Sequence, residues 1–186
     1  VGAGGTVMRP TKEGPAMIFN NVLGHANAKV AIGLLASRKR VGYLLDCDPK
    51  QLGHLLKDSV ANPIPPIVIP NEEAKCQEVV HLATDPDFDI RKLVPAPTNT
   101  LEDAGPYITL GMCYASSPET GESDITIHRM CLQSKDELSI FLMPGARHIG
   151  YFRELAEGKG EPLPISISIG VDPAIEIATC FEPPTT

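Results

Sequence analysis

Apolar and polar positions fall into two regimes along the chain: short apolar runs and helical stripes as far as residue 105, then longer strand-like stretches. In the first regime, residues 16–19 follow Gly14-Pro15 as an apolar run suited to a buried strand, and residues 29–35 form a second. Residues 40–45 and 51–60 read as helices; in the latter, Leu52, Leu55, Leu56 and Val60 share one face. Asp48, followed by Pro49, predicts the N-cap and first turn of that second helix. Pro63, Pro65 and Pro66 end it and introduce a strand over 67–69. Residues 78–82 are another strand candidate and 87–93 a short helix or turn, and the proline- and glycine-bearing stretch 95–106 marks a boundary.

In the second regime, residues 107–114 and 125–132 predict two strands joined as a hairpin through the turn-forming residues 116–121. Residues 138–143 predict a further strand, and 146–158 a helix entered after Pro144-Gly145 and stopped at Gly158. Over 163–169 the period of two puts Ile165, Ile167 and Ile169 on one side and Ser166 and Ser168 on the other. A helix-like segment, 174–178, follows Asp172-Pro173. The order of elements predicts a mixed α/β (α+β) chain of two units, 1–105 and 106–186.

Composition narrows the classes of function. At 186 residues and 42% hydrophobic, the chain can bury a sizeable core. Its formal net charge of −7 disfavours nucleic acid as a partner, because phosphate neutralisation needs clustered Lys and Arg. The one basic triplet, Arg38-Lys39-Arg40, reads as a solvated helix start. No apolar run reaches the roughly 18–20 residues of a membrane span, and no secretory leader is visible. Five scattered cysteines without a CxxC pair fit reduced, structural thiols, so a cytoplasmic setting is expected. Val1 at the start and a proline-rich stop at Thr186 give the chain the look of a piece of a longer polypeptide.

The stretch 123–129 (SDITIHR) is the most informative chemically. Strand alternation places Asp124, Thr126 and His128 on one face and Ile125, Ile127 and Arg129 on the other. So many polar groups on a half-buried strand are costly unless they meet partners or a ligand; a solvated hairpin edge is the alternative. Arg147 and His148 stand at the start of a predicted helix, where an anion is favoured. Asp124 and His148 together offer one oxygen and one nitrogen ligand suited to Mn²⁺ or Mg²⁺, although two separated residues are a weak metal signal and the residues alone favour a satisfied histidine at a helix start. Glu13, Glu102 and Asp103 are acids without a visible partner carboxylate, and no GxSxG, Walker A or GxGxxG pattern occurs.

Taken together, these blocks resemble the UbiD-like family of decarboxylases that use prenylated FMN. The resemblance rests on residues 13–22 (EGPAMIFNNV), 36–41 (ASRKRV), 85–90 (DPDFDI), 103–109 (DAGPYIT), 123–129 (SDITIHR), 144–149 (PGARHI) and 170–174 (GVDPA), in that order. The wording of 123–129 and of 180–186 (CFEPPTT) is most similar to the hydroxybenzoate, protocatechuate-type branch.

The resemblance implies non-oxidative decarboxylation of an aromatic acid, with the modified flavin as electron sink. Arg129 would be the catalytic arginine that holds the substrate carboxylate. Asp124, where many members carry asparagine, and His148 would bind Mn²⁺ or Mg²⁺ at the flavin phosphate. Thr126, Ile127 and His128 would line the flavin, with Arg147 where others carry glutamine. Thr179, Cys180 and Phe181 would approach the cofactor and a K⁺ site. An N-terminal α/β domain (1–105) would precede the first part of a split β-barrel flavin domain (106–186). The remaining barrel, a third metal-binding acid, both catalytic glutamates and a C-terminal domain are expected beyond Thr186, so this piece alone would be inactive. The resemblance also implies a flavin prenyltransferase as cofactor supplier, a homo-oligomer, and no nucleic-acid or membrane partner. A non-catalytic assembly or binding module of this architecture is the other expectation, and a flavin reductase on the same barrel a third. The length of the parent reading frame separates the first two.

Overall fold

The computed structural model describes residues 14–143 and 148–181, with the backbone alone for His148. Among them a two-stranded antiparallel sheet pairs β1 (Met17–Phe19) with β2 (Val30–Ile32). Helix α1 (Arg38–Leu44) is capped by Ser37, whose hydroxyl accepts from the Arg40 amide at 3.2 Å. The basic triplet is only partly the solvated start that its charge suggests. Arg40 is half-buried and donates to the Gly33 carbonyl and, at 2.6 Å, to the Gly14 carbonyl, tying the helix to the entry of β1 and the exit of β2.

Helix α2 (Leu52–Ala61) begins later than Asp48-Pro49 predicts. Asp48 spends its carboxylate on the Lys50 amide (2.8 Å) and its carbonyl on the Gln51 amide (2.8 Å), closing a turn of its own. Gln51 therefore occupies the N-cap, without a side-chain bond. Of the predicted apolar face only Leu52 is buried, and Val60 stays exposed.

Neither strand predicted between α2 and the second sheet forms. Residues 67–69 and 78–82 have no ladder, and Ile67, Val68, Val79 and Val80 are all more than half exposed. A β-prone run becomes a strand only when a neighbour takes up its backbone groups, and none does so among the described residues. Pro63, Pro65, Pro66 and Pro70 also remove four donors from this stretch. The helix or turn expected over 87–93 is a single turn, α3 (Ile90–Leu93), capped by Asp89.

The second sheet forms where strands are predicted, but two are shorter: only Leu138–Ile140 of 138–143 and only Ser166–Ser168 of 163–169 pair. Its order is β5-β4-β3-β6, antiparallel throughout, from β3 (Tyr107–Ser116), β4 (Ser123–Leu132), β5 (Leu138–Ile140) and β6 (Ser166–Ser168). The hairpin turn closes through the Ser117 amide on the Glu122 carbonyl (2.7 Å), with Gly121 at φ +75°. Helix α4 (His148–Gly158) lays Ile149 and Phe152 on the sheet, in one buried cluster with Ile108, Cys113, Ala115, Met130, Leu132 and Leu142. Ile90, Val94 and Ala96 pack on the same cluster from the segment before the sheet. Short α5 (Pro173–Ala178), capped by Asp172 with proline in its first turn, lies toward the opposite face, where the Thr179 hydroxyl reaches the sulfur of buried Met112.

The β3–β4 register shifts once, between Ile108 and Gly111, so that Thr109 and Leu110 together stand opposite Arg129. A Cβ at Gly111, next in the chain, would run into Met130 Cε, the tip of a flexible but fully buried side chain, and would lie 3.3 Å from the His128 carbonyl oxygen. Gly111→Ala in the full-length protein is expected to cost about 1–3 kcal/mol by overpacking, read from the urea midpoint. Adding Met130→Ala should reopen the space, so the double variant should lose less than the sum of the two single losses. Simple additivity would count against the close approach.

Candidate functional site

Antiparallel pairing decides which side chains of β4 can act together, because directly opposed residues point to the same face. Thr126 stands opposite Cys113, Asp124 opposite Ala115 and His128 opposite Gly111. Cys113 and Ala115 belong to the cluster that α4 covers. Asp124, Thr126 and His128 therefore share the α4 face, as alternation predicts. On it Thr126 is buried, and its hydroxyl lies 2.8 Å from His128 Nε2. Half-buried Asp124 accepts from the Ile125 amide at 2.9 Å through Oδ1. Helix α4, which lays Ile149 and Phe152 on this face, starts at His148, whose side chain lies outside the described residues. Arg147 lies outside the described residues.

A hard carboxylate oxygen and an imidazole nitrogen are donors that Mn²⁺ or Mg²⁺ accepts, and both ions need further ligands. Among the described residues no group of three or more His, Cys, Asp or Glu side chains gathers into such a shell. The donor set fits part of a site and does not close one.

Arg129 and Ile127 project to the other face. Arg129 is exposed and lines a polar cleft of about 670 Å³ with Asn99, Glu102, Asp103, Ala104, Tyr107 and Thr109. It has no hydrogen-bond or ion-pair partner among the described residues. The bulge in β3 delivers Thr109 into this cleft, and the loop before β3 supplies Asn99, Glu102 and Asp103. Glu102 and Asp103 look like lone acids in the sequence; tertiary structure brings both to the cleft that Arg129 lines, with Asp103 near enough for the guanidinium to act on its carboxyl. No local signal could have announced this, since Asp103 and Arg129 are 26 positions apart.

Thr179, Cys180 and Phe181 follow α5. The Thr179 hydroxyl is buried and donates to the Glu176 carbonyl at 2.8 Å, whereas Cys180 and Phe181 are exposed. None of the three lines the Arg129 cleft. Cys113 and Cys131 are buried, and all five cysteines are free.

Glu176, which the sequence reading passed over, is buried within α5. Its burial, with Asp172 nearby, raises its carboxyl above the ordinary value of 4.5. Asp89 goes the other way, down to about 2, under the Arg91 guanidinium that bonds it side-on at 2.9 Å; that exposed pair is a local turn device.

Fold and site define an α+β protein with an exposed arginine beside a polar cleft on one face of a four-stranded antiparallel sheet. A family model described as the 3-octaprenyl-4-hydroxybenzoate carboxy-lyase N-terminal domain matches residues 5–60, and its Rift-related domain matches residues 68–186. The chain is 55% identical over 186 residues to a gallate decarboxylase of Lactiplantibacillus plantarum, spanning all of this chain and 38% of that protein. Its fold matches a Klebsiella pneumoniae 3,4-dihydroxybenzoic acid decarboxylase with TM-score 0.89 and 53% identity, over 99% of this chain and 38% of that one. An evolved dimeric form of the UbiD-class enzyme HmfF from Pelotomaculum thermopropionicum, in complex with prFMN, matches with TM-score 0.84 and 30% identity, over 94% and 39%. The chain belongs to the UbiD family of carboxy-lyases. It spans little more than a third of the length of these relatives.

The raised carboxyl of Glu176 has a signed consequence. Its folded pKa lies above its unfolded one, so its contribution to stability is fully present below about pH 4.5 and is lost as pH rises through the folded value. Glu176→Gln, neutral at every pH, is expected to raise the thermal midpoint near neutrality and to leave it unchanged at about pH 4. Equal midpoints for variant and wild type at neutral pH would count against the burial argument.

Proposed function

We propose that the protein to which this chain contributes is a carboxy-lyase. It removes CO₂, reversibly and without net oxidation, from an aromatic acid of the hydroxybenzoate type. Its cofactors in this reading are prenylated FMN, a divalent ion (Mn²⁺ or Mg²⁺) and K⁺. The observation that carries the reading is Arg129: an unpaired guanidinium open to a polar cleft large enough for a single-ring acid, in a chain 55% identical to a gallate decarboxylase.

Arg129 binds the substrate carboxylate, and its planar fork matches the two carboxylate oxygens. Holding the acid there fixes the orientation of the bond that breaks. Asp124 and His148 hold the divalent ion. Ile127 on the Arg129 face of β4, Thr126 and His128 on its other face, and Arg147 would border the cofactor, and Thr179, Cys180 and Phe181 would approach it and a K⁺ ion. When bound, the flavin supplies an electron sink for the pair released by CO₂ departure. An Asp rather than an amide at 124 adds negative charge beside a phosphate and makes the metal's neutralising role larger.

The division at 105/106 belongs to the same reading. The two-stranded and four-stranded sheets fall on either side of it, while Ile90, Val94 and Ala96 reach across to the second core. Self-association is proposed from the dimeric relative. A flavin prenyltransferase is the proposed source of the cofactor. No helix among the described residues is long and apolar enough to cross a membrane, and the net charge of −7 argues against nucleic acid.

The direct test is a screen of hydroxybenzoates for CO₂ release by the full-length protein carrying flavin and Mn²⁺. In that protein Arg129→Ala is expected to lower turnover by about a hundredfold or more while flavin stays bound. Retained turnover would refute the role of Arg129. Asp124→Ala and His148→Ala should each lower both Mn²⁺ content and flavin occupancy, measured by elemental analysis and absorbance. Unchanged metal content would remove these two residues from the metal site.

A further inference from the structure

The Arg129 cleft holds a fixed negative charge to which the proposed chemistry gives no task. Asp103 Oδ2 accepts from the amides of Asn99 (2.8 Å) and Thr100 (3.0 Å), and Oδ1 accepts from the Thr100 hydroxyl (3.2 Å). These bonds close the loop into a turn and hold the carboxyl below its ordinary range, with Arg129 adding to the effect. The loop is seated against the sheet at Gly105, where a Cβ would lie 3.3 Å from the buried Cys131 sulfur. Asp103 and Arg129 thus line one cleft from two fixed supports, and no ion pair joins them. Asp103 is held by bonds within its own loop and makes no ion pair with the guanidinium.

We propose that Asp103 is a positioning residue that tempers the hold of Arg129 on an aromatic carboxylate, its fixed charge opposing the ligand's charge in the bound ground state. This rests on the reading of Arg129 as the carboxylate holder. A carboxylate entering the cleft meets an attracting cation and, beside it, a repelling anion that cannot move away. In decarboxylation the carbon–carbon bond breaks, its electron pair stays with the ring carbon, and the carboxylate leaves as neutral CO₂. The repulsion therefore acts on the bound acid and vanishes with the departing product. It favours release of charge at Arg129 over tight storage of the acid.

The test measures binding of benzoate and of its neutral isostere benzamide to the full-length, flavin-loaded protein by calorimetry. Asp103→Asn keeps an oxygen for the two amides and an NH₂ for the Thr100 hydroxyl, so the turn is retained while the charge is removed. Benzoate is expected to bind roughly three- to tenfold more tightly to this variant at low salt, less so at high salt, with benzamide unchanged. Equal benzoate affinity, or an equal change for both ligands, overturns the proposal. Should Asp103→Asn fail to fold, Asn99→Asp decides. Asn99 lines the same cleft, and the added charge should weaken benzoate but not benzamide; unchanged benzoate binding again overturns the proposal. Arg129→Ala separates this proposal from the functional reading. Benzoate affinity that survives in Arg129→Ala sinks the role of Arg129 itself. Benzoate affinity lost there but unchanged in Asp103→Asn sinks only the role of Asp103.

Discussion

The antiparallel pairing of β3 with β4 is the constraint from which the rest of the site follows. With Cys113 opposite Thr126 and Ala115 opposite Asp124, every side chain of β4 is committed to one of two faces. One face is sealed by Ile149 and Phe152 of α4, so the polar trio Asp124, Thr126 and His128 sits at the margin of a dry core, where hydrogen bonds and metal ligands count most. The other face turns Arg129 toward an open, polar cleft in which its guanidinium has no ion-pair partner among the described residues. A one-residue slip of the ladder would exchange the two sets. The bulge at Thr109 and Leu110 is the single place where the ladder departs from regularity, and it falls opposite Arg129.

Electrostatics divides into devices that serve the backbone and charges left for ligands. Asp89 with Arg91, and Asp103 with the amides of Asn99 and Thr100, spend their carboxylates on shaping turns. Arg40 spends its guanidinium on two carbonyls at the small sheet. Arg129 is spent on nothing in the described chain, which sets it apart from a structural arginine. Glu176 is the reverse case, a carboxyl enclosed by the fold and kept from its ordinary titration.

The stretch between α2 and α3 shows where pattern reading meets its limit. Ile67, Val68 and Ile69 have strong β propensity and bound prolines, yet they form no strand and remain largely exposed. Propensity describes how a residue fits a pleated surface and cannot supply the neighbouring backbone. The family model of the Rift-related domain begins at residue 68, within this run.

The hairpin, the helix from His148 and the two-faced character of β4 were legible in the sequence, because each follows from a local period or a turn residue. Alternation alone placed Asp124, Thr126 and His128 together and Arg129 apart. The N-cap of α2 was misread because Asp48 had two backbone partners within reach and chose a turn of its own. The meeting of Asp103, Tyr107 and Thr109 around Arg129 was beyond local reading: it depends on a register shift and on a loop seated through Gly105. Which residues share a face follows from the order of amino acids along each strand, since side-chain direction is set by neighbouring backbone geometry. Which face is sealed, which holds a cleft and which acid shares that cleft with the arginine depend on how distant segments pack.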